Sequence, residues 1–162
     1  MSHFGIVMRV GVSIVFWVST SVVIGFLGNR IPLSRLDLLA RRWLPFGFER
    51  WGDWYEARLH IRRWKRFVPE AGKNFRMGFD KSTLQARESV AVTRLQLESV
   101  RAEIVHRCLL ILALVPMVWL PGPFVVVPIV YSAGANLPCL AIARYNRLRA
   151  TQTIVRLRAR GR

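Results

Sequence analysis

Two long apolar stretches, one near each end of the chain, enclose a middle rich in arginine and tryptophan. Residues 5–27 are almost wholly apolar, interrupted by Arg9 and a few Ser and Thr. About 20 such residues cross the hydrocarbon core of a bilayer as a helix, so this stretch is predicted to span. A cleaved signal peptide is the competing reading. The run is long, no basic cluster precedes it, and GFLGN is a poor small-x-small cleavage site, which favour retention. The second stretch, 104–143, is too long for one crossing and is broken by Pro121, Gly122 and Pro123. Proline fixes φ and removes a donor while glycine permits reversal, so a helical hairpin is predicted. Its arms are about 17 and 20 residues long, the first short enough to dip into a membrane without crossing it. Pro116, Pro128 and Pro138 are expected to kink these arms.

Between the apolar stretches, Trp43, Trp51, Trp54 and Trp64 alternate with Arg50, Arg58, Arg62, Arg63 and Lys65. Tryptophan favours the lipid headgroup layer and arginine pairs with phosphate, so residues 30–81 read as interfacial or cytoplasmic. A solvated basic helix with buried tryptophans fits the same pattern. Residues 69–81 read as a loop, and Ser82 with Gln85 three residues later forms a capping box that opens a helix over 82–107. Leu84, Ala91, Leu95, Ala102 and Val105 recur along it at helical spacing and predict its apolar stripe, with Glu98 inside the stripe. The expected fold is thus an all-α membrane protein in one membrane-embedded domain over 1–162. It has an N-terminal transmembrane helix, interfacial helices, one long amphipathic helix, a Pro-broken hydrophobic helical hairpin and a basic tail over 144–162.

Charge gives this arrangement a direction. A hydrophobic fraction of 52% coexists with 21% charged residues because the two kinds are segregated along the chain. The net charge of +16, from 25 Lys and Arg against 9 Asp and Glu, suits nucleic acid or an anionic membrane face. Because the arginines flank apolar runs, the membrane is favoured and nucleic-acid binding is not expected. Arg30, Arg35, Arg41 and Arg42 follow the first run, and Arg144, Arg147, Arg149, Arg156, Arg158, Arg160 and Arg162 follow the second. Positive residues stay inside, so both flanks are expected in the cytoplasm and the N-terminus outside. Cys108 and Cys139 lie in apolar runs without metal or disulfide spacing and read as packing residues.

Chemistry concentrates in three places. Within 98–106, Glu103 and His106 are helical neighbours at i, i+3, and Arg101 stands three residues after Glu98. A histidine beside a carboxylate can serve as a general base, because the carboxylate fixes its tautomer. An ordinary salt-bridged helix end has the same spacing, and Glu-x-x-His in a single copy is a weak metal signature, so no metal is expected. The second cluster is Asn136, Pro138, Arg144, Tyr145, Asn146, Arg147 and Arg149, whose forked guanidiniums suit phosphate or carboxylate. Anchoring at a membrane face accounts for those arginines equally well. The third is Trp64 and Lys65 with the loop that contains Glu70 and Gly72. No GxSxG elbow, phosphate-cradling glycine loop, HxxxxD signature or nucleotide fingerprint is present.

GNRIP (28–32), FGFERWGDWYE (46–56), RRWKRFVPEAGKNFRMGF (62–79), ESVRAEIVH (98–106) and ANLPCLAIARYNRLR (135–149) are five stretches in which the chain resembles the glycosyl-4,4'-diaponeurosporenoate acyltransferase family of carotenoid-making bacteria. They stand in the family's order, with Leu148 where members often carry proline. The resemblance implies a small enzyme of the bacterial cell membrane that moves a fatty acyl group onto a sugar hydroxyl of a glycosylated carotenoid or similar glycolipid. Its expected partners are membrane lipid, that acceptor, and an acyl-CoA or acyl-carrier protein as donor, with no separate cofactor. Carried onto this chain, the roles expected are His106 as general base and Glu103 as its orienting partner. Arg101 or Arg144 would stabilise developing negative charge, with Glu98 beside them. Arg30, Trp64, Lys65, Glu70, Asn136, Arg144, Tyr145, Asn146 and Arg147 would hold substrate. A non-catalytic membrane subunit that recruits anionic lipid or a partner enzyme is the alternative.

Overall fold

A computed structural model describes residues 3–43, 45–68 and 84–160, and the elements within them are all helical. In chain order they are α1 (His3–Asn29), α2 (Leu33–Arg42), a 3₁₀ turn (Gly47–Gly52), α3 (Asp53–Leu59), α4 (Ile61–Trp64), a 3₁₀ turn (Lys65–Phe67), α5 (Leu84–Leu112), two 3₁₀ turns (Val115–Val118 and Gly122–Val125) and α6 (Val126–Arg160). The predicted loop over 69–81 and the Ser82 cap lie outside the described residues. Two compact units result: Met1–Ile31 with Ala102–Leu140, and Pro32–Arg101 with Ala141–Arg162. Both α5 and α6 supply residues to each.

In the first unit α1 runs antiparallel to the segment that ends α5. Near its start, Arg9 donates to the Trp119 carbonyl, and Ser13 Oγ accepts from Trp119 Nε1 at 2.9 Å. Midway, buried Trp17 packs with Leu109 and Ala113 and meets the Tyr131 ring edge to face at 5.8 Å. Near its end, a Cβ on Gly28 would stand 2.5 Å from Val105 Cγ2, so only glycine permits this approach without a shift. Gly5–Asn29 and Gly122–Ala159 are long and apolar enough to cross a membrane, and only 11% of the apolar window of the first is buried.

The two predicted hairpin arms take a different form. The first stops being α-helical at Leu112, because Pro116 has no N–H to give and the chain tightens into 3₁₀ turns. Gly122 takes φ +51° at the reversal, which a side chain would resist. The second arm does not end at 143, since the basic segment 144–160 continues α6. Pro128 sits in the first turn of α6, where an N–H is not needed, and Pro138 is internal.

The second unit closes on Tyr55, Ile61, Ile142, Tyr145 and Leu148, with Trp54, Trp64, Val68 and Ala141 around them. Gly52, at φ +102°, turns the chain into α3 under the Tyr145 ring, where a Cβ would stand 3.2 Å away. The predicted stripe of α5 is displaced. Leu95 is 42% exposed, whereas Leu97 and Val100 are buried. Polar neighbours tolerate burial there because Ser99 Oγ bonds the Leu95 carbonyl at 2.7 Å and Gln96 donates to Thr151 Oγ1 at 2.7 Å. Glu98 consequently lies off the buried face, with its side chain 38% exposed.

Gly28→Leu is expected to destabilise detergent-solubilised protein by about 1–3 kcal/mol through overpacking against Val105. Gly11→Leu and Gly25→Leu, with nothing within 4 Å of an added Cβ, serve as controls in the same thermal unfolding series. Equal shifts in all three would show that the α1 contact at Gly28 is wrong.

Candidate active site

In the first unit a short polar relay runs through otherwise apolar surroundings. His106 Nδ1 lies 2.9 Å from Asn136 Oδ1. Asn136 Nδ2 donates to the Ser132 carbonyl at 3.0 Å and to Ser132 Oγ at 3.3 Å, while Ser132 Oγ reaches the Leu109 carbonyl at 3.4 Å. A backbone carbonyl can only accept, so the amide nitrogen must point toward Ser132 and the amide oxygen toward the imidazole. That oxygen in turn requires the proton on Nδ1, leaving Nε2 as the basic nitrogen of the neutral ring. Ser132 and Asn136 are both buried, four residues apart on one face of α6, whereas His106 is half-buried.

The neighbour of the imidazole is therefore the Asn136 amide. Glu103, fully buried, accepts from Arg107 Nη2 at 3.1 Å, the i, i+4 partner on α5. Arg30, also in this unit, lays its guanidinium over the Phe26 ring at 4.3 Å.

The remaining expected site residues belong to the second unit, apart from Glu70, which lies outside the described residues. Arg101 pairs with Glu98 at 2.6 Å. Arg144 is 7% exposed and is met by Glu49, fully buried, through Nε to Oε1 at 2.7 Å and Nη2 to Oε2 at 3.0 Å. Tyr55 Oη donates to the same carboxylate at 2.9 Å and the Phe46 N–H at 2.7 Å. Burial alone would raise the Glu49 carboxyl, but the bonds from Arg144, Phe46 and Tyr55 outweigh it and hold the group below its ordinary value. Burial and the Glu49 bond together push the Tyr55 phenol up. Arg144 is thus committed to an ion pair inside the fold.

Tyr145 belongs to a second acid-centred cluster. Its phenol donates to Glu56 Oε1 at 2.6 Å and accepts from Arg62 Nε at 3.2 Å. Glu56 also pairs with Arg62 at 2.8 Å and with Arg149, which reaches Asp53 at 3.1 Å. Burial raises the Glu56 carboxyl, and the phenol and guanidiniums lower it further than burial lifts it. Lys65 lies over the Tyr145 ring at 5.1 Å, Trp64 donates to the Leu59 carbonyl at 2.8 Å, and Asn146 is half-buried. Arg147, buried, donates to the Trp43 carbonyl at 2.7 Å and lines a cavity of about 270 Å³.

Reasoning from sequence passed over Glu49, Glu56 and Ser132. The two acids carried a signal: carboxylates are scarce among so many cations, so two of them inside one aromatic motif mark sites where arginine is neutralised within the fold. Ser132 carried none.

Residues 40–156 match the glycosyl-4,4'-diaponeurosporenoate acyltransferase family, a span that takes in the His106 relay and both acid-centred clusters. The chain belongs to that family. The glycosyl-4,4'-diaponeurosporenoate acyltransferase of Staphylococcus aureus strain MRSA252 is 30% identical over 149 residues, covering 90% of this chain and 88% of its own length. Those of strains bovine RF122 / ET3-1 and USA300 are 29% and 28% identical over the same shares. No solved structure matches. As a member of this family the protein is an acyltransferase.

Glu49→Ala or Arg144→Ala is expected to cost about 3–5 kcal/mol, because each leaves the other charge buried without its ion-pair partner. Since the folded carboxyl is held below its ordinary value near 4.5, its contribution is complete above that pH and is lost as pH falls through the lower folded value. The stability gap between wild type and Glu49→Gln, measured by thermal unfolding, should therefore narrow on acidification below about pH 4.5. A gap that widens there would exclude an ionised Glu49.

Proposed function

We propose that the protein is a membrane-bound acyltransferase that moves a fatty acyl group from a thioester donor to a sugar hydroxyl of a glycosylated carotenoid or similar glycolipid. The observation that carries this reading is the His106–Asn136–Ser132 relay. It supports a general base whose tautomer is set by the fold, in a unit whose outer surface is apolar.

Membrane contact is supported by the side chains that unit leaves uncovered, among them Val7, Val15, Val22, Ile111, Val118 and Val130. In water that surface would be costly, and in lipid it is not. Nineteen residues of α1 separate Arg9 from Gly28, about 28 Å of helix, close to the roughly 30 Å of a hydrocarbon core. The segment from Val105 to Trp119 lies against this same length. That favours a hairpin that crosses fully over one that dips. His106 then falls at the depth where α1 gives way to Arg30, on the positive and hence cytoplasmic side. A sugar headgroup whose lipid tail lies in the bilayer reaches that depth.

In the proposed reaction His106 Nε2 takes the proton of the acceptor hydroxyl as its oxygen attacks the thioester carbonyl. The new C–O bond forms, the tetrahedral oxyanion collapses with loss of the C–S bond, and the proton passes from the imidazolium to the departing thiolate. Asn136 holds the ring throughout by accepting from Nδ1–H, so it is a positioning residue. Activation of the hydroxyl contributes typically about 10²–10⁴-fold, and His106→Ala should lose that much turnover while the protein still folds. Asn136→Leu should lose about tenfold or more in turnover with little change in KM, and Asn136→Asp should restore much of it. The readout is acceptor-dependent release of free thiol by purified protein in detergent. Unchanged turnover in His106→Ala would remove the assignment and favour a non-catalytic subunit.

A further inference from the structure

We infer that the cavity in the second unit is a seat for the phosphopantetheine arm of the acyl donor, an inference that rests on the thioester reading above. At about 270 Å³ it falls just under the roughly 300–1,000 Å³ of pockets that swallow a whole small ligand, so it suits part of a larger molecule. Its charge selects an anion. Arg41, Arg147 and Arg158 line it against a single carboxylate, Asp37, which is already paired with Arg41 at 2.9 Å. Arg147 is buried and donates to the Trp43 carbonyl, so the exposed Arg41 and Arg158 are the guanidiniums that can meet a phosphate through forked hydrogen bonds.

The rest of the wall argues for amides beside the phosphate. Thr93 and Thr151 give their hydroxyls to the Ser89 and Arg147 carbonyls and Gln96 spends its Nε2 on Thr151, which leaves the Gln96 Oε1 acceptor in the lining for an amide N–H. Trp43 and Trp51 supply flat apolar surface for a thin methylene chain. Trp51 holds φ +60°, a conformation that an aromatic residue adopts only when its surroundings impose it, and such strain gathers where ligands are clamped. Phosphate, amides and a slender chain in one ligand are the features of phosphopantetheine, which coenzyme A and acyl-carrier proteins share.

The test is binding of pantetheine 4'-phosphate to the full chain in detergent by calorimetry. Wild type should bind it, Arg158→Glu, at an exposed position that folding tolerates, should weaken it about tenfold or more, and Ala40→Phe should block it by filling the lining without changing charge. Competition by inorganic phosphate at equal concentration, or affinity unchanged in both variants, would overturn the assignment. Comparing coenzyme A with holo and apo acyl-carrier protein separates the two sources: the favoured source binds, and the apo carrier, which has no arm, does not compete. His106→Ala should bind the arm as wild type does, so loss of activity there and loss of binding in Arg158→Glu report on the two readings separately.

Discussion

Arginine inside a fold has to be met by an acid, and in this chain acids are few. Glu49 meets Arg144 through both carboxylate oxygens while Tyr55 and a backbone N–H complete its shell. The pair joins residues 95 apart in sequence and turns the most basic part of α6 into a wall of the second unit rather than a loose end. Glu56 repeats the device one turn of structure later with Tyr145, Arg62 and Arg149. Without these two carboxylates the Tyr55–Ile61–Leu148 core would have to close around like charges, which a low dielectric penalises heavily. The interior is thus organised by neutralisation first and apolar packing second.

The first unit solves the opposite problem. Its interior is mostly apolar, and besides the Glu103–Arg107 pair within α5 several polar groups answer one another across segments: Arg9 donates to the Trp119 carbonyl, Ser13 accepts from the Trp119 indole, and Asn136 stands between His106 and Ser132. Each has a partner on another segment, so the polar groups specify the register of helices whose apolar faces alone would slide. The same register gives the imidazole its tautomer.

Much of this was legible in the sequence. The two apolar stretches, the reversal at Pro121 to Pro123 and the helical character of 84–107 follow from periodicity and proline chemistry, and described residues of the family's motifs supply the buried clusters. Other features were not legible, for identifiable reasons. Periodicity cannot tell a half-exposed Leu95 from a buried Leu97 when serines and glutamines on the buried face are satisfied by hydrogen bonds. Helical spacing placed Glu103 beside His106, but it could not show Arg107 claiming the carboxylate or an asparagine thirty residues on supplying the acceptor. Arg144 and Arg147, which read as phosphate-binding groups or as membrane anchors of a basic tail, are buried because their partners lie 95 and 104 residues upstream, a separation that no local pattern encodes.

The bond from Arg9 to Trp119 also has a bearing on biogenesis. Arg9 and Ser13 are made more than a hundred residues before Trp119. Until then α1 carries a guanidinium whose eventual partner does not exist, while the Ser13 hydroxyl has the Arg9 carbonyl to donate to. The nascent helix must lean on water, on lipid phosphate or on the insertion machinery until the hairpin arrives, so α1 acquires its final environment only when the segment that carries Trp119 has been delivered.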